Sequence, residues 1–463
     1  MFYLMIFVFI IGYIMITLEQ NININKAAFA LLLGALLWTL YSIGADSILD
    51  MGLSNSWNHF METELDNVIA THEDKINFIT NYSLIKNLGT ISSTLFFLLG
   101  AMTIVELIDI NQGFYIISSA IKSKNLVKLM WGIAMLTFFM SSLLDNLTTT
   151  IIVLTILNKL FKETKTRWIF ASLVIIAANA GGAWSPIGDV TTIMLWINGE
   201  VTSAPLITHL FIPSSINAIV ATLLLSRFLK KIQVNQPSEK PETKDTSNKS
   251  IRTLILVSGC LTLISVPVFK AYTHLPPYMG MLLGLSILWI ITDRRAKKLR
   301  MHEQNYVRVT TALHSIDIST ILFFLGILTA VGALESAGHL TLMANWLSAK
   351  YPNIYITNGI IGIISSIVDN VPLVAAAMGM YTTQPATAVG ELSNYMINGD
   401  FWNLLAYCAG TGGSLLIIGS AAGVAAMGIE RINFIWYFKK ITGVAFISYV
   451  AGIGAYYLQS FFL

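Results

Sequence analysis

A short polar string occurs twice within apolar stretches of the chain. It reads Ser-Ser-Leu-Leu-Asp-Asn at 141–146 and Ser-Ser-Ile-Val-Asp-Asn at 365–370, so Asp369 follows Asp145 by 224 residues. An ionisable side chain within hydrocarbon costs roughly 3 kcal/mol or more unless it faces a protein-lined, wet site. The repeated string therefore predicts a functional site at membrane depth in a chain that arose by duplication.

A glycine-rich interruption follows each string. The first covers 179–189 and contains Gly-Gly, Pro and Asp, and the second begins as Gly-Thr-Gly-Gly-Ser at 410–414. Gly181 and Gly412 are 231 residues apart. Glycine and proline weaken a membrane helix, and unwound backbone is tolerated there only where it lines a cavity. Paired discontinuous helices in the two halves of a chain are typical of a transporter's binding site.

The side chains at these interruptions decide what the site binds. Asp145, Asp189 and Asp369 supply negative charge, and neutral oxygens come from Asn146, Asn370, Thr148 and Ser414. Hard oxygen ligands favour Na⁺ or Li⁺ over transition metals, and the negative charge disfavours an anion. Burial and neighbouring carboxylates favour the protonated form of such acids. Proton and cation would then compete for one site, which is the minimum chemistry of an antiporter.

Several of these residues also have a plain structural interpretation. Asp145 and Asp369 are good helix N-caps, and the threonines at 148–150 and 191–192 can bond back to their own helix. Glu106 and Glu335 each follow a Leu-Phe-Phe-Leu run and could be solvated near a membrane surface. For the histidines at 209, 274, 314 and 339, anchoring at the membrane edges is favoured over a pH-sensing role.

The composition predicts the fold class. Of the 463 residues, 55% are hydrophobic and 11% charged, with a mean hydropathy of +0.69, against about 25% charged in soluble domains. This indicates an all-α polytopic membrane protein. The small net charge of +3 argues against a nucleic-acid partner. Cys260 and Cys408 lie in apolar segments without metal or disulfide spacing, and no cofactor is expected.

Ten apolar windows approach the length of about 20 residues that a membrane crossing needs. They are 2–18, 27–43, 88–108, 168–197, 207–229, 252–270, 278–292, 318–335, 400–428 and 433–461. The first window lacks the basic start and the cleavage site of a signal peptide, so it is predicted to be a span. Two further apolar segments surround Asp145 and Asp369.

Basic residues flank the Asp145 segment on both sides, at 122–128 and at 159–167. Because basic loops stay in the cytoplasm, both ends of this segment are expected on one face of the membrane. The segment then either crosses twice or enters and returns. Its second arm is short for a span, which favours a re-entrant hairpin with Asp145 and Asn146 at the tip.

Five crossings before the central linker place the second copy in the opposite orientation, so the sequence predicts two inverted-topology repeats. The first repeat is 1–229, with a hairpin at about 126–161 and a broken helix at about 168–197, and the polar linker is 230–251. The second repeat is 252–463, with a hairpin at about 353–383 and a broken helix at about 400–428. A cytoplasmic linker puts both chain termini and the acid-rich 44–80 loop outside.

The duplicated hairpin string, the Asn-Ala-Gly-Gly-Ala-Trp-Ser-Pro-Ile-Gly-Asp-Val-Thr-Thr segment at 179–192 and the Gly-Thr-Gly-Gly-Ser segment resemble the NhaD-type sodium/proton antiporters of the ion transporter superfamily. The resemblance implies inverted repeats, a homodimer with an elevator-like movement, and exchange of Na⁺ or Li⁺ for H⁺ in a prokaryotic cytoplasmic (inner) membrane. It assigns ion binding to Asp145, Asn146, Asn179, Asp189, Thr191, Thr192, Ser365, Asp369, Asn370 and Ser414. Glu106 and Glu335 are similar to the family's intramembrane glutamates and would join the three aspartates in a proton pathway.

Two other functions remain to be separated from cation exchange. An anion carrier for dicarboxylate, citrate or arsenite shares the architecture, but it predicts neutral or cationic residues where this chain has acids. Dicarboxylate relatives carry Ser-Asn-Thr in place of Asp-Asn. An intramembrane aspartyl protease would pair Asp145 with Asp189, yet Pro186 replaces the first glycine of its Gly-x-Gly-Asp motif.

Overall fold

The computed structural model describes residues 1–17, 22, 24–65, 70–114, 125–161, 163–230, 249–299, 309–367 and 370–462. Within these ranges the chain is helical, and its β-pairing is one isolated bridge between Gln384 and Met396. The prediction of an all-α polytopic protein is confirmed. Asp369 and residues 231–248 of the predicted linker lie outside the described residues.

The helices of the first half are α1 Phe2–Thr17, α2 Lys26–Ile43, α3 Ala45–Leu49, α4 Asn55–Glu64, α5 His72–Asn77, α6 Leu84–Ile110, α7 Leu126–Leu144, α8 Asn146–Leu160, α9 Thr164–Ala183, α10 Val190–Asn198 and α11 Ser203–Lys230. A π-helix, Phe78–Ser83, joins α5 to α6. The second half holds α12 Lys249–Thr273, α13 Pro277–Leu299, α14 Val309–Ser315, α15 Ile318–Ser336, α16 His339–Lys350, α17 Ile354–Ser365, α18 Asn370–Met380, α19 Asp400–Gly412, α20 Ala421–Glu430, α21 Phe434–Lys440 and α22 Thr442–Gln459. A 3₁₀-helix covers Gly390–Tyr395.

Seven helical stretches of the described chain are long and apolar enough to cross a membrane, and an eighth if α21 and α22 form one span bent by 53°. The sequence analysis gave ten apolar windows, more than these spans, because the hydropathy of a stretch does not show where a helix begins or ends within it. The 400–428 window divides into α19 and α20, and the 2–18 window forms the 16-residue helix α1. The protein is therefore a multi-span membrane protein.

The described residues group into two compact units, each built from both halves of the chain. The first unit comprises Met1–Leu99, Asp317–Asn353 and Val371–Thr383, and the second comprises Gly100–Ile316, Ile354–Asn370 and Gln384–Leu463. In the first unit α2 packs along α15. The Trp38 indole donates to the carbonyl of Thr329 at 2.9 Å, and the Tyr41 hydroxyl donates to that of Ser336 at 2.9 Å. These bonds satisfy polar groups within an apolar helix pair.

The acid-rich 44–80 stretch of the first unit contains α3, α4 and α5. Lys75 donates to Asp46 at 3.1 Å and to Asp50 at 2.6 Å, although its own side chain is only 9% exposed. The hydrogen bond from Lys75, followed by that from His72, lowers the pKa of Asp46 below its ordinary value. This stabilising contribution is present above the ordinary pKa of an aspartate and is lost as the pH falls through the lowered value.

The second unit holds matching contacts of the two polar strings. The Ser141 hydroxyl donates to the carbonyl of Ala178 at 2.6 Å, and the Ser365 hydroxyl donates to that of Ala409 at 2.9 Å. Both acceptors lie near the end of a helix, α9 or α19, that runs into a glycine-rich break. The repeated strings therefore hold the ends of the two broken helices in the same way.

Glycines make this packing possible. A Cβ atom added at Gly181 would collide with the carbonyl of Phe138, and one added at Gly412 would collide with the carbonyl of Gly362. The backbone of α9 thus lies directly on α7, and that of α19 directly on α17. Such close contact leaves no room for any side chain at the two glycines.

We expect Gly412→Ala to lower the free energy of unfolding by roughly 1–3 kcal/mol, the usual cost of overpacking. The added methyl group would force α19 away from α17. The midpoint of thermal unfolding in detergent measures the effect. Gly132→Ala is the matched control, because a Cβ atom at Gly132 has no neighbour within 4 Å. Equal midpoints for the two variants would contradict the close packing.

Candidate cation site

Two helices of the second unit are broken at the glycine-rich segments. Helix α9 ends at Ala183 and α10 begins at Val190, while α19 ends at Gly412 and α20 begins at Ala421. The last carbonyls of a helix lack partners within that helix and carry partial negative charge. A Cβ atom added at Gly410 would lie 3.4 Å from the Cβ of Ala183, so the C-terminal ends of α9 and α19 are neighbours.

Asp189 lies in the first break as the N-cap of α10 and is 1% exposed. Its Oδ1 accepts a hydrogen bond from the backbone N–H of Thr191 at 3.1 Å. The amide Nδ2 of Asn146 donates to Oδ2 at 2.8 Å, and that of Asn370 lies 3.5 Å from both oxygens. A buried carboxylate thus receives bonds from neutral amides of both polar strings.

Asn179, near the end of α9, connects these residues to the second break. Its Oδ1 accepts from Asn146 Nδ2 at 3.1 Å, and its own Nδ2 donates to the hydroxyls of Ser414 at 2.8 Å and Ser420 at 2.9 Å. The chain of buried bonds therefore runs from Asp189 through two asparagines to two serines. We call this set the Asp189 cluster: Asn146, Asn179, Asp189, Asn370, Ser414 and Ser420.

The carboxylate of Asp145 points to its own helix. Asp145 has a φ of 81°, caps α8, and accepts bonds from the backbone N–H of Thr148 at 2.7 Å and from its hydroxyl at 2.9 Å. This is the capping role that the sequence offered as one interpretation. The Asp145 carboxylate is thus bonded to Thr148. Asp145 still lies beside the Asp189 cluster, because the next residue, Asn146, belongs to that cluster.

The remaining predicted ligands differ in their contacts. Thr192 donates back to the carbonyl of Asp189 at 2.8 Å, as threonines in a helix often do. The Ser365 hydroxyl is bonded to Ala409, as described above. The hydroxyl of Thr191 is buried and has no hydrogen-bond partner among the described residues. Of the three threonines predicted as ligands, Thr148, Thr191 and Thr192, Thr191 therefore has a hydroxyl oxygen available for a ligand.

The two glutamates predicted for the proton pathway belong to different units. Glu106, on α6, has Asp109 as its charged neighbour in the second unit. Glu335, on α15, lies in the first unit against Gly379, where an added Cβ atom would approach the Glu335 Cγ to 2.8 Å. Neither glutamate is among the hydrogen-bonded residues of the Asp189 cluster.

Comparisons with known proteins identify the family. A family model described as citrate transporter matches residues 10–396. Sodium/proton antiporter 1 of Arabidopsis thaliana is 43% identical over 98% of this chain and 71% of its own length. The Na⁺/H⁺ antiporter NhaD of Alkalimonas amylolytica is 30% identical over 97% of this chain and 89% of its own length. The chain belongs to the NhaD-type sodium/proton antiporter family. NhaD of Vibrio cholerae, 29% identical over 97% of this chain and 90% of its own length, agrees with this.

Membership of the NhaD-type family confirms the resemblance stated from the sequence motifs. The matching family and the relatives named above are transporters, so the chain is a transporter and not an enzyme. The aspartyl protease interpretation is thereby excluded. The relatives come from a plant and from bacteria, so a prokaryotic origin stays a prediction.

Sequence reasoning on this NhaD-type chain missed Ser420. The residue follows Asp189 by 231 residues, the spacing that relates the two glycine-rich breaks, and it caps α20 as Asp189 caps α10. That spacing was a usable signal. Ser420 carries no charge, so the second break has a hydroxyl where the first has a carboxylate.

The Asp189 cluster offers one negative charge, two hydroxyls and three side-chain amides, all hard oxygen donors. Asparagine also carries a donor, and which end of its amide faces a neighbour depends on the bonding network. Rotation of an amide by half a turn would replace a donated N–H with an oxygen ligand. The amides of the Asp189 cluster can therefore either donate hydrogen bonds to the Asp189 carboxylate or turn their oxygens towards a small cation bound beside it.

Proposed function

We propose that this protein exchanges Na⁺, and also Li⁺, for H⁺ across a membrane, with cation and proton competing for Asp189. The observation that carries the proposal is a buried carboxylate beside the C-terminal ends of two half-helices, within reach of neutral oxygen donors. The names of the antiporter relatives support the same exchange. The half-helix ends add partial negative charge, which favours a cation over an anion.

The competition follows from burial. A carboxylate out of water is stabilised either by binding a proton or by an opposite charge close to it. The Asn146 amide at 2.8 Å from Asp189 Oδ2 occupies the position that an arriving Na⁺ would take. We propose that Na⁺ displaces the proton and that Asn146 then turns its oxygen towards the ion. Asn179 would keep its orientation, because its Oδ1 already faces Asn146 Nδ2. Ser414, Ser420 and Thr191 would complete its coordination.

The other predicted residues take supporting roles in this scheme. The Asn370 Nδ2 atom lies 3.5 Å from both Asp189 oxygens, and this amide would turn its oxygen towards the bound ion as Asn146 does. Asp145 and Asp369 would hold the helix tips or receive the proton, with Thr148, Thr192 and Ser365 fixing the backbone around them. Glu106 and Glu335 are proposed as further proton carriers between the site and the membrane surfaces.

Alternating access is proposed to follow the pattern of inverted repeats, 1–229 and 252–463, with an elevator-like movement in a homodimer. The matching contacts of Ser141 and Ser365 support a duplicated chain. We further propose a prokaryotic cytoplasmic membrane, both termini outside and the 230–251 linker inside, on the basis of the basic residues around that linker.

Purified protein in liposomes tests the function. A pH gradient, acidic inside, is followed with a fluorescent dye while Na⁺, Li⁺, K⁺ or choline is added outside. Na⁺ and Li⁺ should dissipate the gradient, and protein-free liposomes should not respond. Because the family model is described as citrate transporter, labelled citrate uptake is measured in parallel. Citrate uptake without cation-driven proton movement would overturn the proposal in favour of an anion carrier.

A further inference from the structure

Most glycines of the two breaks are required by packing. A Cβ atom would come within 3.0 Å of a backbone atom at each of these positions: Gly181, Gly182, Gly188, Gly412, Gly413 and Gly419. Distances this short do not occur for real Cβ atoms, so any side chain there would force the backbone to move. For these six residues the identity of the amino acid is explained by the fold.

Gly410 is different. A Cβ atom at this position would meet the Ala183 Cβ at 3.4 Å and Asp189 Oδ2 at 3.6 Å, which are ordinary van der Waals distances. Gly410 lies within α19, where glycine is less favourable than alanine because it loses more backbone entropy on folding. Packing therefore permits alanine here, and helix stability favours it. Some other requirement has to account for the glycine.

The space at Gly410 adjoins the oxygen of Asp189 that Asn146 contacts. In the first half of the chain the corresponding residue, 231 positions earlier, is Asn179, whose side chain is bonded to the two serines. The same position is thus occupied by an amide in one half and left without a side chain in the other. The space left at Gly410 lies beside the carboxylate of Asp189, the one charged group of the Asp189 cluster.

We infer that Gly410 determines which cation the site accepts, by keeping room beside Asp189 for an ion of the size of Na⁺. The inference rests on the proposed exchange of Na⁺ or Li⁺. Selectivity between similar hard cations depends on cavity size and on the number of ligands that can reach the ion. A methyl group at residue 410 would crowd Na⁺ and any water that it retains before it crowds the smaller Li⁺.

Gly410→Ala tests the inference in the liposome assay. We expect the KM for Na⁺ to rise about tenfold, the lower end of what one methyl group achieves in a tight pocket. The KM for Li⁺ should change far less, so that the ratio of the two shifts towards Li⁺. Gly454→Ala is the matched control, since it makes the same change in α22 where a Cβ atom has no neighbour within 4 Å. Its two KM values should equal those of the wild type.

Folding is checked by the midpoint of thermal unfolding in detergent. Gly410→Ala should unfold at or above the wild-type temperature, because alanine favours the helix, and a clearly lower midpoint would overturn the packing argument. An unchanged ratio of the KM values would overturn the inference while leaving the exchange activity intact. A wild type that exchanges neither ion would instead overturn the proposed function, so the two failures are distinguishable.

Discussion

Asp189→Asn is expected to abolish cation-driven proton movement, with a loss greater than the roughly 100-fold that removal of an outer-shell partner of a metal ligand can cost, because Asp189 is proposed to bind the ion directly. Asparagine has nearly the same shape as aspartate and still caps a helix, so α10 should remain in place. It carries no negative charge for Na⁺ and does not bind a proton. Everted vesicles or liposomes with a pH-sensitive dye measure the rate at several Na⁺ concentrations.

Asp317→Asn is the matched control for this prediction. Asp317 caps α15, is exposed, and accepts bonds from the backbone N–H and the hydroxyl of Thr320 through its two oxygens. An asparagine keeps the capping bond from the N–H through its Oδ1, and its amide N–H can donate to the Thr320 hydroxyl instead. The control should exchange at the wild-type rate, and both variants should reach the membrane in equal amounts. Wild-type exchange by Asp189→Asn would show that the buried carboxylate is not the site of competition.

Arg167→Ala is expected to give the largest loss of stability, roughly 3–5 kcal/mol, because it leaves a buried carboxylate without its partner. Arg167 Nε lies 2.8 Å from Glu430 Oε2, and the Glu430 side chain has no exposed surface. The pair joins the start of α9 to the end of α20. Unfolding of the purified protein by denaturant measures the change.

A double variant distinguishes the contribution of the ion pair itself from the cost of leaving the Glu430 carboxylate buried and unpaired. Arg167→Met combined with Glu430→Leu should recover most of the stability, since apolar residues of similar size often replace a buried ion pair without loss. Arg227→Ala, which removes an exposed arginine of α11, should unfold as the wild type does. Equal stability of Arg167→Ala and Arg227→Ala would mean that the ion pair does not hold the two helices.

The residues of the Asp189 cluster were largely predictable from the sequence. Polar side chains in apolar runs are costly, so Asn146, Asp189 and Asn370 are conspicuous without any structure. Helix breaks at 184–189 and 413–420 follow from local glycine and proline chemistry, which acts within a few residues. Both signals are local, which is why a single sequence carries them.

The direction in which each carboxylate points was not predictable. Asp145 and Asp189 occupy the same kind of position, each capping a short helix after a break. Both oxygens of Asp145 accept bonds from Thr148 of its own helix. Asp189 uses one oxygen for Thr191 of its own helix, and the other accepts from Asn146, a difference set by the packing of distant segments. The bonds of Lys75 to two aspartates in the 44–80 stretch likewise join residues distant in the chain and have no sequence periodicity.

Proton release on cation binding tests the competition at Asp189 most directly. Purified protein in weakly buffered detergent solution is mixed with Na⁺ or Li⁺ at a series of pH values, and a pH indicator reports the protons set free. Wild-type protein should release protons on addition of either ion but not of choline, and Asp189→Asn should release none. Equal release by wild type and Asp189→Asn would contradict the assignment of proton and cation to this carboxylate.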